Sequence, residues 1–380
     1  MYTAYLKHLG QARLLRVIAD RNSPQGRTIR RGEAQLLNFA SNDYLGLAAN
    51  AGVIEGARRA MAEFGLGAGA SRLLGGGCTL HGELEQRVAA FKGTAAALVF
   101  NSGYTANLSA IPALATNEGA IFSDELNHAS IVDGCRLSGA ERFVYRHGDL
   151  SHLAGLLQAS AREPKIVVTE SVFSMDGDIA DIRGIRELCE AHNALLYIDD
   201  AHATGVLARG KGSLTHFNIQ PDDNIVQMGT FSKAFGSMGG FVAASETIID
   251  YLVNCARGLI YSTALPGPIV AASLAAINYV DAHPEVVETL HENISNCKRL
   301  LLSRGINVPA TPTAIIPIYV ETVADALRVS EYLLARGIYA PAIRPPTVRQ
   351  SRIRISLSAL HSDEDIERLS ASLAEAIGCL

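Results

Sequence analysis

The chain has 380 residues, of which 48% are hydrophobic, so it can bury a large core and we predict a soluble globular protein with two domains plus terminal extensions. A formal net charge of -5, without a long run of Lys or Arg, argues against nucleic acid or a membrane surface as the main partner. Six dispersed cysteines without a CxxC pair indicate free thiols rather than disulfides or zinc, and the absence of a signal-peptide pattern predicts a cytoplasmic location.

The predicted elements begin with an amphipathic helical pattern over residues 1–16 and continue with strand-length apolar runs that alternate with helix-period segments. This alternation predicts an α/β fold whose mostly parallel sheet is covered by helices, such as those around Leu84–Phe91 and Ile185–His192. The predicted strands are Ala96–Phe100, Ala120–Phe122, Phe143–Tyr145, Ile166–Thr169, Leu195–Asp199, Ile225–Met228 and Gly240–Ala244.

The last hundred residues have a different pattern, with charged helical stretches and isolated strands at Ile315–Val320 and Arg352–Leu357. A capping signal at Ser362 predicts a closing amphipathic helix. The predicted division is therefore an N-terminal helical segment at residues 1–45, a large domain at 46–282 and a small α+β domain at 283–380.

A glycine-bearing turn, NSGYTAN from Asn101, follows the first predicted strand of the sheet and opens a helical pattern. Gly103 would let main-chain N–H groups approach a phosphate at the helix N-terminus, although a polar, N-capped strand-to-helix turn is the more ordinary interpretation of this motif taken alone. Neither GxxxxGK[ST] nor GxGxxG occurs at a strand-to-helix junction, which argues against ATP and NAD.

Polar side chains also follow later strands. Asp199 and Asp200 end a strand three residues before His202, where an acid could hold a protonated ring nitrogen, a pair could bind Mg²⁺, or Asp200 could pair with a surface base. His128 could stack on a planar ring or be structural, and Ser174 could donate to a ligand or cap a turn.

Lys233 lies in GTFSKAFG, directly after the predicted strand Ile225–Met228. A lysine among apolar residues and hydroxyls could form a Schiff base, while an isolated loop lysine would more often extend into solvent. Its combination with a glycine turn, a strand-end acid and a histidine favours pyridoxal phosphate (PLP), which needs a phosphate site, a carboxylate for the ring nitrogen and an amine.

The chain resembles the α-oxoamine synthases, a family of fold-type I PLP enzymes, over nearly its whole length. The segment Arg344-Pro345-Pro346-Thr347 and the following arginine-bearing strand resemble the members that act in biotin biosynthesis. The motifs that carry the resemblance are NFASNDYLGL, GAGASRLLGG, HGELE, NSGYTAN, LNHASIVDG, TESVFSMDGD, IDDAHATG, GTFSKAFG and IYSTALP.

For the cofactor, the resemblance implies a covalent link to Lys233, a ring-nitrogen contact from Asp199, a ring-hydroxyl contact from His202 and stacking on His128. The other implied cofactor contacts are Gly103, Tyr104, Ser174, Thr230 and, from a partner subunit, Thr263. The implied substrate contacts are Arg354 with Asn42 for an amino-acid carboxylate, Arg16 with Thr347 for an acyl group, and His128.

The resemblance also implies an acyltransferase that condenses L-alanine with pimeloyl-CoA or pimeloyl-acyl carrier protein and loses carbon dioxide. Lys233 would be both covalent anchor and acid/base, in a homodimer with shared sites and without a metal ion. A glycine-dependent relative that takes another acyl-CoA, such as acetyl-CoA, and a catalytically inactive subunit of the same fold are the two alternatives.

Overall fold

Two units make up the computed structural model of the chain, which describes all 380 residues. One unit consists of Met1–Ala48, Met175–Gly177 and Glu288–Leu380, and the other of Ala49–Ser174 and Asp178–Val287. The sequence-based division at 45/46 and 282/283 stays a prediction.

Helices and strands alternate through the middle of the chain. The helices are α1 (Tyr2–Gln11), α2 (Ala51–Phe64), α3 (Thr79–Lys92), α4 (Gly103–Leu114), α5 (Ala129–Leu137), α6 (Leu150–Ala159), α7 (Ile182–Ala191), α8 (Ser213–His216), α9 (Glu246–Cys255), α10 (Arg257–Ile260), α11 (Gly267–Ala282), α12 (Glu285–Ser303), α13 (Val323–Ala335) and α14 (Asp363–Gly378). The strands are β1 (Thr28–Arg31), β2 (Ala34–Asn38), β3 (Ala96–Phe100), β4 (Ala120–Asp124), β5 (Glu141–Tyr145), β6 (Lys165–Glu170), β7 (Ala194–Asp199), β8 (Ile225–Thr230), β9 (Gly240–Ala244), β10 (Ile315–Tyr319), β11 (Ile338–Tyr339), β12 (Ala342–Ile343) and β13 (Arg352–Ser356).

The large unit contains a seven-stranded sheet in the order β3-β9-β8-β7-β6-β4-β5. Strands β4 to β8 pair in parallel, and β9 lies antiparallel between β3 and β8. The predicted mostly parallel α/β sheet is confirmed, and β6 and β8 run farther than predicted, to Glu170 and Thr230. The apolar pattern stops earlier than the strands do because polar side chains do not interrupt main-chain pairing.

The sheet is buried on both faces, since consecutive residues of its central strands enter two separate apolar clusters. Val167, Leu196 and Ile198 belong to one cluster, and Val168 and Tyr197 to the other. Successive side chains of a strand point to opposite faces, so covering helices must pack on each side. This burial holds the ends of the central strands rigidly in place.

The small unit contains two three-stranded sheets, β1-β2-β11 and β10-β13-β12. The two strands predicted at Ile315–Val320 and Arg352–Leu357 are present as β10 and β13, which pair antiparallel. Ser362 caps α14 in a capping box with Asp365, which also forms an ion pair with Arg27. The N-terminal helix is shorter than the predicted pattern and buries none of its residues.

None of the six cysteines forms a disulfide. The chain contains no helix with the length and apolar character needed to cross a membrane.

Candidate active site

Three polar residues end adjacent parallel strands of the large unit. Glu170 ends β6, Asp199 ends β7 and Thr230 ends β8, and Glu170 lies directly opposite Asp199 in the strand register. Ligands of open α/β sheets bind at the carboxyl ends of their parallel strands. The site therefore lies at the edge that the sequence predicted.

Asp199 is held by a buried hydrogen-bond chain and is only 6% exposed. Its Oδ2 accepts from Asn107 Nδ2 at 2.8 Å, and its Oδ1 accepts from the main-chain N–H of Ala201 at 3.0 Å. Tyr197 donates its hydroxyl to Asn107 Oδ1 at 2.9 Å, which fixes the amide so that its NH₂ group faces the acid. These donors stabilise a negative charge at one fixed position.

Asp200 has a different environment from its neighbour Asp199. It accepts from Lys92 Nζ at 2.7 Å, and both side chains are 0% exposed. The alternative in which Asp200 pairs with a base is thus confirmed, except that the base is buried rather than at the surface. Asp200 is therefore neutralised within the core.

The glycine turn after β3 brings two main-chain segments unusually close. A Cβ on Gly240 would lie 2.6 Å from the main-chain nitrogen of Gly103, and a Cβ on Gly103 would lie 3.4 Å from the Cβ of Thr230. Ser102 caps α4 by accepting from Thr105 N at 3.0 Å. Only glycine at position 240 allows the first turn of α4, with its unpaired N–H groups, to sit beside the end of β8.

The hydroxyl of Thr230 is fixed beside this helix N-terminus. It donates to Gly239 O at 2.7 Å and lies 2.7 Å from the hydroxyl of Ser232. Thr230 and Gly103, two of the predicted phosphate contacts, are therefore brought together by the structure. A helix N-terminus flanked by hydroxyls is suited to an anion such as a phosphate.

His128 is the N-cap residue of α5, and its Nδ1 accepts from Ser130 N at 3.2 Å. The Tyr104 ring lies edge-on to it, with centroids 6.2 Å apart. His128 is exposed, yet the surrounding protein lowers its pKa by desolvation; the charge of Asp199 raises the pKa and that of Lys233 lowers it. His128 is therefore a neutral imidazole in electrostatic reach of both groups.

Lys233 lies half-buried in the turn after β8, between anchors that are fully buried. Phe231, Ala234 and Phe235 are the anchors, each at most 1% exposed. They fix the turn that carries Lys233, and partial burial of an amine is a condition for a nucleophilic lysine.

The remaining predicted cofactor residues occupy less regular positions in the large unit. His202 is buried in the turn that follows β7, and Ser174 is half-buried after β6. Thr263 is exposed between α10 and α11, and its main-chain oxygen accepts from Asn101 Nδ2 at 2.7 Å. The predicted roles of these three residues stay predictions.

The small unit brings together the residues predicted to bind an amino-acid carboxylate. Arg354 lies on β13 and is 5% exposed; it donates to Ser356 Oγ at 2.7 Å and to Asn42 Oδ1 at 3.2 Å. The Tyr44 hydroxyl also donates to Asn42 Oδ1, at 3.2 Å. This cluster fixes the planar guanidinium, whose fork matches a carboxylate.

The predicted acyl contacts also meet within the small unit. Arg16 donates to the hydroxyl of Thr347 at 2.9 Å. Arg344 donates to the main-chain oxygens of Arg13 and Leu15, each at 3.0 Å, and so fastens the segment that carries Arg16.

Sequence analysis missed Glu170 and Asn107. Both are buried: Glu170 has an oxygen, Oε1, without a hydrogen-bond partner, and Asn107 joins Tyr197 to Asp199. Glu170 lies opposite Asp199 on the neighbouring strand. That register is known only once the two strands are paired, so the sequence alone could not single out Glu170.

The residues present fit PLP. A helix N-terminus that approaches Thr230 only because Gly240 lacks a Cβ suits the phosphate, and Asp199 suits a protonated ring nitrogen. Lys233 supplies the amine.

Comparison with known proteins agrees with a PLP site formed by these residues. Residues 34–373 match the family described as aminotransferase class I and II. The chain is 44% identical over 374 residues to the 8-amino-7-oxononanoate synthase of Anaeromyxobacter dehalogenans, covering 98% of this chain and 94% of that protein. It is 45% identical over 376 residues to that of Geotalea daltonii, covering 97% and 95%.

Two solved structures share the fold. A serine palmitoyltransferase from S. paucimobilis with a bound adduct of PLP and myriocin has a TM-score of 0.93 and 28% identity, covering 100% of this chain and 98% of that chain. An 8-amino-7-oxononanoate synthase from Francisella tularensis has a TM-score of 0.79 and 26% identity, covering 90% and 98%. This chain therefore belongs to the aminotransferase class I and II family and, within it, to the α-oxoamine synthases, fold-type I enzymes that use PLP.

Proposed function

We propose that this chain joins L-alanine to a pimeloyl thioester and forms 8-amino-7-oxononanoate, carbon dioxide and the free thiol, a step of biotin biosynthesis. The relatives named above support the substrates. The observation that carries the reaction class is the meeting of Asp199, Thr230 and the Lys233 turn at the ends of adjacent strands. In the reaction, a bond forms between the alanine Cα and the acyl carbon, while the C–S bond and the bond from Cα to the carboxylate break.

PLP, when bound, supplies an electron sink for the charge that develops on the alanine Cα. We assign its ring nitrogen to Asp199, whose two hydrogen bonds keep the carboxylate charged and in place. The phosphate is assigned to the first turn of α4 and to Thr230, with Tyr104 contributing its main-chain N–H. His202 and Ser174 are assigned to the polar edge of the ring, and His128 to the ring face.

Lys233 is assigned two roles. It anchors the cofactor covalently, and once alanine has displaced it the amine takes the Cα proton and later returns one to the product carbon. Phe231, Ala234 and Phe235 hold the turn that carries this amine in place.

The substrate groups are assigned to the small unit. Arg354 binds the alanine carboxylate, because Ser356 and Asn42 orient its guanidinium. Arg16 and Thr347 contact the acyl substrate. The chain works as a homodimer in which Thr263 of one subunit reaches the phosphate of the other, and the acyl group is carried by CoA or by acyl carrier protein.

The test is a substrate panel with the purified, PLP-loaded protein. L-Alanine and glycine are each combined with pimeloyl-CoA, pimeloyl-acyl carrier protein and acetyl-CoA, while free thiol is measured and the product is weighed by mass spectrometry. We expect thiol release and the nine-carbon product with alanine and a pimeloyl donor, and neither product nor covalent cofactor with Lys233→Ala. Turnover only with glycine and acetyl-CoA would refute the substrate assignment, and turnover by Lys233→Ala would refute the role of the lysine.

A further inference from the structure

Glu170 is an acid at the site for which the proposed reaction has no role. It is 2% exposed at the end of β6, opposite Asp199, and its Oε1 is buried without a hydrogen-bond partner. Leaving a buried polar atom unpaired costs about 1–3 kcal/mol. Stability of the strand alone therefore does not explain an acid at this position.

The surroundings of Glu170 connect it to two of the assigned cofactor residues. The main-chain N–H groups of His128 and Ser174 lie near its carboxyl group and lower its pKa. Its own main-chain N–H donates to Asn127 Oδ1 at 3.0 Å, and Asn127 Nδ2 donates to Val168 O at 2.8 Å. The turn before α5 is thus fastened to the end of this strand.

The charges around Glu170 favour its neutral form. Burial raises the pKa of Glu170 well above its usual value and the charge of Asp199 raises it further, whereas Lys233 and the two N–H groups lower it. Asp199 accepts two hydrogen bonds that stabilise its charge. Two carboxyl groups that share a buried site disfavour each other's charged form, so these surroundings favour the protonated form of Glu170.

We infer that Glu170 is a positioning residue of the PLP site, a neutral carboxylic acid that fixes His128 and Ser174 through their main-chain N–H groups without adding negative charge beside Asp199. The inference rests on the proposed function, because His128 and Ser174 matter here as contacts of the cofactor. A protonated group is also the form that best tolerates burial of an unpaired oxygen.

The experiment compares Glu170→Gln with Glu170→Leu in PLP titrations of the apoprotein, followed by absorbance. Glutamine keeps the size, the neutrality and an acceptor oxygen, so we expect a dissociation constant within about threefold of the wild type. Leucine removes the acceptor for both N–H groups, so we expect PLP to bind at least about tenfold more weakly. An infrared difference spectrum of wild type against Glu170→Gln should contain the C=O band of a protonated carboxyl group.

Three results would overturn the inference: a carboxylate band in place of the protonated one, PLP binding by Glu170→Gln as weak as that of Glu170→Leu, or wild-type affinity in Glu170→Leu. If the leucine variant does not fold, the glutamine titration and the infrared spectrum still decide. The titration needs neither alanine nor thioester. A wild-type protein that binds PLP but lacks the proposed turnover would therefore refute the substrate assignment and leave the role of Glu170 standing.

Discussion

Removing the buried amine of Lys92 is expected to destabilise the large unit strongly. Lys92 Nζ donates to Asp200 Oδ2 at 2.7 Å, to Thr204 Oγ1 at 3.2 Å and to Lys211 O at 2.7 Å. Ser171 donates to the other oxygen of Asp200 at 2.7 Å. The network fastens the end of α3 to the turn that follows β7 and carries His202.

The magnitude follows from the burial of the pair. Removing one partner of a buried ion pair leaves an uncompensated charge and costs about 3–5 kcal/mol. Burial alone would raise the pKa of Asp200, but the charge and hydrogen bond of Lys92, aided by Ser213 and Ser171, hold it below its usual value. The pair therefore stabilises the fold above the ordinary carboxyl pKa, and this contribution is lost as the pH falls through the lowered value.

The assay is urea unfolding at neutral pH of Lys92→Met, Asp200→Asn and the double variant, followed by circular dichroism. We expect Lys92→Met to lose about 3–5 kcal/mol and the double variant to recover much of that loss, because no charge is then left buried. Lys211→Met is the matched control: it removes the amine of the half-exposed pair with Asp281, worth about 0–1 kcal/mol. If Lys92→Met were no more damaging than Lys211→Met, or the double variant no better than the single one, the reasoning would be refuted.

Two further predictions concern other contacts of the large unit. Hydrogen bonds to Asp124 and Asp178 raise the pKa of His147 from 6.5 to about 10, so its stabilisation is complete below 6.5 and is lost as the pH rises through 10. The difference in unfolding free energy between wild type and His147→Gln should shrink over that range, and a constant difference would contradict this. Gly240→Ala should cost about 1–3 kcal/mol and weaken PLP binding, whereas Gly155→Ala, with no atom within 4 Å of its Cβ, should leave PLP affinity unchanged; equal affinities would contradict the steric argument.

The local sequence was enough to locate the candidate site residues that lie at strand ends. Asp199 and Lys233 stand out because each follows an apolar run that β7 and β8 bear out. The mostly parallel sheet could be predicted for the same reason, since buried parallel strands are apolar on both faces. Strand ends were less accurate, because Thr230 continues the main-chain pairing of β8 despite its polar side chain.

Contacts between distant parts of the chain could not be predicted in this way. Lys92 and Asp200 are 108 positions apart, and nothing near Lys92 distinguishes it from an exposed lysine at the end of an amphipathic helix. Glu170 follows the predicted strand Ile166–Thr169 with nothing nearby to single it out, since its significance depends on Asp199 in the neighbouring strand. Helix α1 ends at Gln11, before the predicted pattern does, and Arg13 just beyond it has a left-handed φ of 55°, which a continuing helix does not allow.

Three acids, Glu170, Asp199 and Asp200, lie near the ends of β6 and β7, and only Asp199 is available to pair with a cofactor. Asp200 is neutralised by Lys92 inside the core, and the inferred proton neutralises Glu170. Asp199 has no cationic partner of this kind and accepts from two amide donors. A protonated ring nitrogen would then be the natural counter-ion at this position. A second uncompensated charge beside Asp199 would compete for the same proton, so the ion pair of Asp200 and the inferred proton of Glu170 are part of what makes Asp199 effective.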